Sequence, residues 1–243
     1  MQPAEMLAQL AADGRALRDA ATDLDAAVPP CPGWTVRDAV EHTAMVYAHK
    51  SHVLETDAFE EGEWPPPGLT YDDVIDFYDE QLHRLIENLR TRDPKARAGT
   101  WYEPDQTVGF WVRRMMQETV IHRADVESAS GPPSRVDDAV AIDGIDEVIE
   151  RFLCFDTWGY PKDVGSGQRI TVVAGDGVWT VTLAPEKATS ERGDDAAADA
   201  RISGSPSDVL LALWNRLPYD AVRTEGDASA LAAMRTALAA TTQ

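Results

Sequence analysis

The sequence predicts an α+β chain of two domains, a four-helix bundle over residues 1–156 followed by a small α+β domain over 160–243. Three observations predict it. Apolar residues recur at helical intervals through roughly the first 130 positions. Turn-forming stretches divide that region into four long segments. Beyond residue 160, β-branched residues alternate on both sides of a Gly-Asp-Gly turn.

The first helix is read from Glu5 to Ala27, where Leu7, Leu10, Leu17 and Leu24 recur among charges and "VPPCPGW" stops it. In the second, "TVRD" places a hydroxyl at Thr35 and a carboxylate three residues on, a variant of the capping box, and the helix runs to about Leu54. After the loop "EEGEWPPPG", a third helix begins near Thr70 with Val74, Tyr78, Leu82, Leu85 and Leu89 as its buried stripe; "RDP" ends it. The fourth spans Thr107 to Ser130, stopped by Gly131 and two prolines. Four long helices joined by loops make a bundle.

A shorter apolar helix, Asp137 to Phe155, precedes the change of character. "RITVVA" and "VWTVTLA" then read as a hairpin, and "ARISG" as a further strand. "SPSDVLLALWNRL" opens a helix with Ser205 as N-cap and Pro206 at its first position, and an Ala-rich helix from Asp227 to Ala240 closes the chain. The acidic stretch 185–200 is read as mobile surface with no role.

Acidic residues outnumber basic ones 42 to 22, a formal charge of −20 that repels phosphate backbones and anionic lipid surfaces, so nucleic acid and membrane are excluded as partners. Two cysteines, Cys31 and Cys154, are too few for a disulfide scaffold and fit a reducing compartment. No basic-then-apolar leader and no run of about 20 apolar residues is present, so the expectation is a soluble cytoplasmic protein.

The stretch "MMQETVIHRAD" raises the functional question. Trp111, Met115, Glu118, His122 and Asp125 follow the spacing of a packed helix seam, yet the last three are ionisable. Glu118 and His122, four apart, share one face and are placed to chelate one cation, which offsets the cost of burying them. A third ligand must come from another helix. His42, on the face of helix two that carries Ala39 and Val46, is the first candidate; His49 is the reserve, and His52 and His83 lie in more polar surroundings. The residues alone leave a second reading open. Glu118 pairs with Arg114 on a solvated surface, and His42 is a core histidine bonded to a carbonyl.

"VPPCPGWTVRDAVEHTA" together with "ETVIHRADVESASG" resembles the mycothiol-dependent maleylpyruvate isomerase family, one of the DinB-like metal-binding bundles. "SGSPSDVLLALWNRL" resembles a segment of that family's C-terminal domain, with Asn215 in place of the usual Gly and the Arg kept as Arg216. The resemblance implies His42, Glu118 and His122 as ligands of a divalent metal, zinc first, with positions open for an incoming molecule. It implies mycothiol, a low-molecular-weight thiol of actinobacteria, as co-substrate. The sulfur, activated as a metal thiolate, adds to a small electrophile in a cis–trans isomerisation or an S-transfer, and Arg216 is the catalytic residue that clamps a substrate carboxylate. Asp125 is either an acceptor orienting a ligand imidazole or a solvated residue. A thiol-independent metallohydrolase and a non-catalytic ligand-binding module are the competing readings. Oligomeric state follows from none of these features.

Overall fold

The computed structural model describes residues 1–56, 68–155 and 159–242. They form two compact units, Met1–Ser134 and Arg135–Gln243. The loop "EEGEWPPPG" lies almost wholly outside the described residues, as does part of the 156–160 boundary expected between the domains.

The first unit is the four-helix bundle: α1 (Pro3–Ala20), α2 (Val36–Thr56), α3 (Val74–Arg90) and α4 (Val108–Ser128). α1 stops seven residues short of the expected Ala27, since residues 21–27 turn back and Ala27 bridges Thr35 instead. α3 begins at Val74 rather than near Thr70, because the Asp73 carboxylate accepts from the Ile75 and Asp76 amides and so caps it. α4 is the central rod, buried on nearly every side, with Trp111, Met115, Met116 and Val120 inside. Helices approach closely at Gly14, where a Cβ would lie 2.7 Å from Leu82. There the Tyr78 hydroxyl donates to the Gly14 carbonyl at 3.1 Å, and the Tyr47 hydroxyl meets Thr119 Oγ1 at 2.6 Å. These bonds satisfy polar atoms that the apolar core would otherwise strand.

The second unit starts with α5 (Asp138–Glu147), which runs into a π-helical turn, Val148–Leu153. α5, expected with the bundle, belongs to this unit and packs on α6 (Pro206–Leu213). A five-stranded sheet follows in the order β3-β2-β1-β4-β5. β1 (Gln168–Ala174) and β2 (Gly177–Leu183) form the expected hairpin, closed by Gly175 in the left-handed region at φ +57° and Asp176. β4 (Ala200–Gly204) is the expected further strand and runs parallel to β1. Alternate residues Ile170, Val172, Val181, Leu183 and Ile202 are fully buried, and α6 and α7 (Ala228–Thr241) lie against β1 and β4.

Two strands escape the sequence pattern. β3 (Ala188–Arg192) crosses the stretch read as mobile surface, and the exposed face of this edge strand is why its sequence "ATSER" lacks apolar alternation. β5 (Arg223–Gly226) is a short exposed edge for the same reason. Beyond α6, Asn215 sits at φ +58°, and the Arg216 and Asn215 amides donate to the Leu211 and Ala212 carbonyls. This is a Schellman cap, which only Gly or Asn accepts at little cost, and it explains why Asn replaces Gly there. Among the described residues no helix is long and apolar enough to cross a membrane.

Candidate metal centre

The site begins with the turn before α2. The Val28 amide donates to the Trp34 carbonyl and the Trp34 amide to the Cys31 carbonyl, with Gly33 at φ +88° letting the chain double back. Asp38 then accepts from both the Thr35 amide and hydroxyl at 2.7 Å, and the Asp38 amide donates to Thr35 Oγ1. The expected capping box is present, with Asp in the role usually held by Glu. It fixes the phase of α2, so that His42, two turns in, faces α4.

On α4, Glu118 and His122 share the face that meets α2. Glu118 Oε1 stands 3.2 Å from His122 Nε2 and 3.6 Å from His42 Nε2. One donor atom from each of the three residues lies within 4.8 Å of the others. The His42 side chain is 29% exposed while Glu118 and His122 are more deeply set, so the cluster opens on the His42 side. Trp34 covers part of it, with its ring centroid 5.0 Å from His42 and 6.2 Å from His122, near-parallel to the latter.

Two further side chains fix the triad. Arg114, only 3% exposed, donates to Glu118 Oε2 at 2.8 Å and leaves Oε1 to face the imidazoles. Asp125, wholly buried, accepts from His122 Nδ1 at 3.0 Å, which turns Nε2 toward Glu118. The 3.2 Å between Nε2 and Oε1 is spanned by a proton when the imidazole is charged, and suits a shared cation when it is neutral. Burial by itself raises the Glu118 carboxyl, but the charge of His122, hydrogen bonds from both imidazoles and Arg114 outweigh it and hold the group well below the usual carboxylate range. Burial likewise lowers His122, while Glu118 and Asp125 overcome it and push the imidazole up to about 9. The pair therefore competes strongly for a proton, or for a metal ion in its place.

The donor set fits a divalent ion. In a tetrahedral site with bonds of ~2.0–2.1 Å, ligand atoms stand roughly 3.3 Å apart, and the two distances to Glu118 Oε1 are 3.2 and 3.6 Å. Three protein donors leave the rest of the coordination sphere for small molecules, the pattern of reactive rather than structural sites.

His42, Glu118 and His122 thus converge as the sequence pattern expected. The Arg114–Glu118 pair exists, yet it is largely buried rather than solvated, because α4 is covered along nearly its whole length. Asp125 is the orienting acceptor of the two roles open to it. His49 is outside the cluster and its Nδ1 meets Lys50 Nζ at 2.8 Å; His52 and His83 are exposed. Neither Cys31 nor Cys154 is in a disulfide. Arg216 lies in the second unit, in the cap that ends α6, with Nη1 donating to the Trp214 carbonyl at 2.9 Å. The placement of Trp34 against the imidazoles was not legible from periodicity, since the residue precedes the helix and its position depends on the tight turn before it.

Fold and site together define a class, two-domain proteins in which a helix bundle presents a His-Glu-His cluster and a mixed sheet with helices follows. Residues 4–127 match the family model described as the mycothiol maleylpyruvate isomerase N-terminal domain, and residues 139–233 match the family's C-terminal domain. The chain belongs to the mycothiol maleylpyruvate isomerase family. Among solved structures it is similar to the mycothiol-dependent maleylpyruvate isomerase at 12% identity and a TM-score of 0.63, covering 93% of this chain and 95% of that one. A mutant of that enzyme is similar to the same extent, at 12% identity, a TM-score of 0.64 and the same coverage. No curated protein matches the chain.

Proposed function

We propose that the protein is a metal-dependent enzyme in which a low-molecular-weight thiol, mycothiol by family membership, adds to a small unsaturated electrophile, as an isomerase or an S-transferase. His42, Glu118 and His122 hold the ion, with zinc the best match to two imidazoles and a carboxylate. The observation that carries this reading is the convergence of Glu118 Oε1 on both Nε2 atoms while Arg114 and Asp125 engage the far side of the triad. When bound, a divalent ion lowers the pKa of a thiol from about 8.5 to below neutrality and so makes it nucleophilic at physiological pH.

The chain's own residues supply orientation. Asp125 keeps His122 in the Nδ1–H tautomer, Arg114 restricts Glu118 to one oxygen, and Trp34 shields one side of the cluster from water. In the reaction a carbon–sulfur bond forms as the π pair of a conjugated double bond moves onto the adjoining carbonyl. Rotation follows, and expulsion of the sulfur restores the double bond and returns the thiol, with no net oxidation. In the transferase variant the adduct is protonated and released. The role of Arg216, holding a carboxylate of the substrate, rests on the likeness of its segment to the family's. It is tested by a rise in KM on Arg216→Ala.

Elemental analysis of the purified chain, with and without the substitutions His42→Ala, Glu118→Ala and His122→Ala, tests the centre. The expected result is near one divalent ion per parent chain and none in the variants. Equal metal in all four overturns the ligand set. Turnover of the substrate with all thiol removed overturns the thiol and favours a hydrolase.

A further inference from the structure

Trp34 comes from neither of the two helices that carry the triad. It ends the turn before α2, where the Val28 amide donates to its carbonyl, its own amide donates to the Cys31 carbonyl, and the Val36 and Arg37 amides donate back to the Ala26 and Leu24 carbonyls. The backbone under the indole is therefore fixed before α2 begins. From there the ring reaches across the seam. Its centroid lies 5.0 Å from that of His42 on α2 and 6.2 Å from that of His122 on α4, with interplanar angles of 51° and 16°, while the two imidazoles stand 4.9 Å apart at 64°. Three rings from three segments make a triangle, and Glu118 Oε1 meets Nε2 of both imidazoles.

A tryptophan at the entrance of a helix commonly pins that helix to the core. Trp34 differs from the core tryptophans Trp111 and Trp179, which are 0% and 1% exposed, in being only half-buried, and the rings it meets are imidazoles. An imidazole bound to a cation takes on part of the positive charge, which the indole π-system attracts at these distances. The indole also covers surface that water would otherwise wet, and the apolar shell around a metal site governs solvent access to it. His42 gains most from such cover, because its side chain is 29% exposed against 9% for His122.

We propose that Trp34 is a positioning residue of the metal centre: by covering both imidazoles it keeps His42 on the ion, slows release of the ion and limits the water that joins it. The inference rests on the metal-site reading above and deepens it. Retention of the metal is then set by the turn at residues 28–35 as well as by the three ligands.

The test uses the full-length protein loaded with cobalt(II), read by its visible spectrum and by the rate at which excess chelator removes the ion. Trp34→Leu keeps an apolar side chain to pin α2 but has no ring, whereas Trp34→Phe keeps an aromatic face. Both should take up cobalt as the parent does. Trp34→Leu should release it about tenfold faster, the scale of losing one aromatic contact. Its visible band should also weaken, since added water raises the coordination number and cobalt(II) absorbs most strongly when four-coordinate. Trp34→Phe should keep the band and release cobalt within about threefold of the parent rate, and the metal-free variants should have similar stability. Parent-like release and spectrum in Trp34→Leu, release as fast in Trp34→Phe as in Trp34→Leu, or release rates that simply follow metal-free stability overturns the proposal, makes Trp34 a helix pin and leaves the metal centre standing. Failure of the parent to take up cobalt overturns the metal centre itself, and this inference with it.

Discussion

α4 carries two buried ionisable clusters on different faces, and they differ in how their charges are satisfied. Toward α1, Arg123 donates to Asp13 Oδ1 at 2.7 Å and to the Ser134 carbonyl, with Glu127 3.7 Å away, and Gln9 donates to the other Asp13 oxygen. Donors face acceptors within the group, although Arg123 Nε has no hydrogen bond and only the Glu127 carboxylate at 3.7 Å. Toward α2, Glu118 Oε1 faces two imidazole nitrogens, one of which Asp125 orients from behind. That cluster brings three possible ligand atoms to one point and opens where His42 reaches solvent. Buried charge is therefore no sign of a reactive centre by itself; the informative feature is a carboxylate and two imidazoles from two helices converging on one point, with the far sides of Glu118 and His122 already engaged.

Substitution separates the two. His122→Ala should abolish metal uptake, which at a zinc-like affinity is the largest change expected in the molecule. Because His122 is a partner of the buried Asp125 carboxylate, the metal-free variant should unfold modestly below metal-free parent, and a large loss of stability with metal retained would make the α2 side structural too. Asp13→Ala should do the reverse. It leaves Arg123 buried with only the more distant Glu127 carboxylate, at a cost of about 3 kcal/mol in chemical denaturation, while metal content stays unchanged. If Asp13→Ala also lost the metal, the two faces of α4 would be one coupled unit.

A finer probe is Asp125, which belongs to the α2 cluster without facing the ion. Asp125→Asn keeps the shape and removes the charge that orients His122, so metal affinity should fall roughly 10- to 100-fold in a competition titration against a chelator. No change in affinity would reduce Asp125 to a helix-packing residue.

The contrast also explains what the sequence made legible. Glu118 and His122 stand four apart on a helix whose surroundings are apolar, so their shared face follows from helix geometry alone. His42 came from the face of α2 and, with Arg216, from the family resemblance. The burial of Arg114 did not follow, because an Arg four residues before a Glu reads as a surface pair unless the neighbouring helices are known. Trp34 depends on a tight turn, which leaves no periodic trace. In the second unit the hairpin and β4 were readable from alternation, whereas β3 and β5 are edges whose solvent-facing residues hide the pattern.

The smallest expected effect sharpens the comparison through pH. The carboxyls of Asp13 and Asp38 are shifted in opposite directions. Burial raises Asp13 above its ordinary value, with Arg123 and Gln9 opposing, whereas hydrogen bonds from the Thr35 backbone and then its hydroxyl lower Asp38. A raised carboxyl contributes stability below its unfolded pKa and loses it as pH rises through the folded value. A lowered one contributes above the unfolded pKa, about 3.9, and loses it as pH falls through the folded value. Asp38→Ala should therefore cost about 1 kcal/mol at neutral pH, the usual worth of a cap, and the gap between parent and variant should close as pH drops below about 4. Because Asp38 sets the phase of α2, the same variant should loosen metal binding only slightly, by frayed placement of His42 rather than loss of a ligand. A pH-independent gap in unfolding free energy would mean that the Asp38 side chain acts through packing, and that the first turn of α2 is held by the Ala27–Thr35 bridge instead.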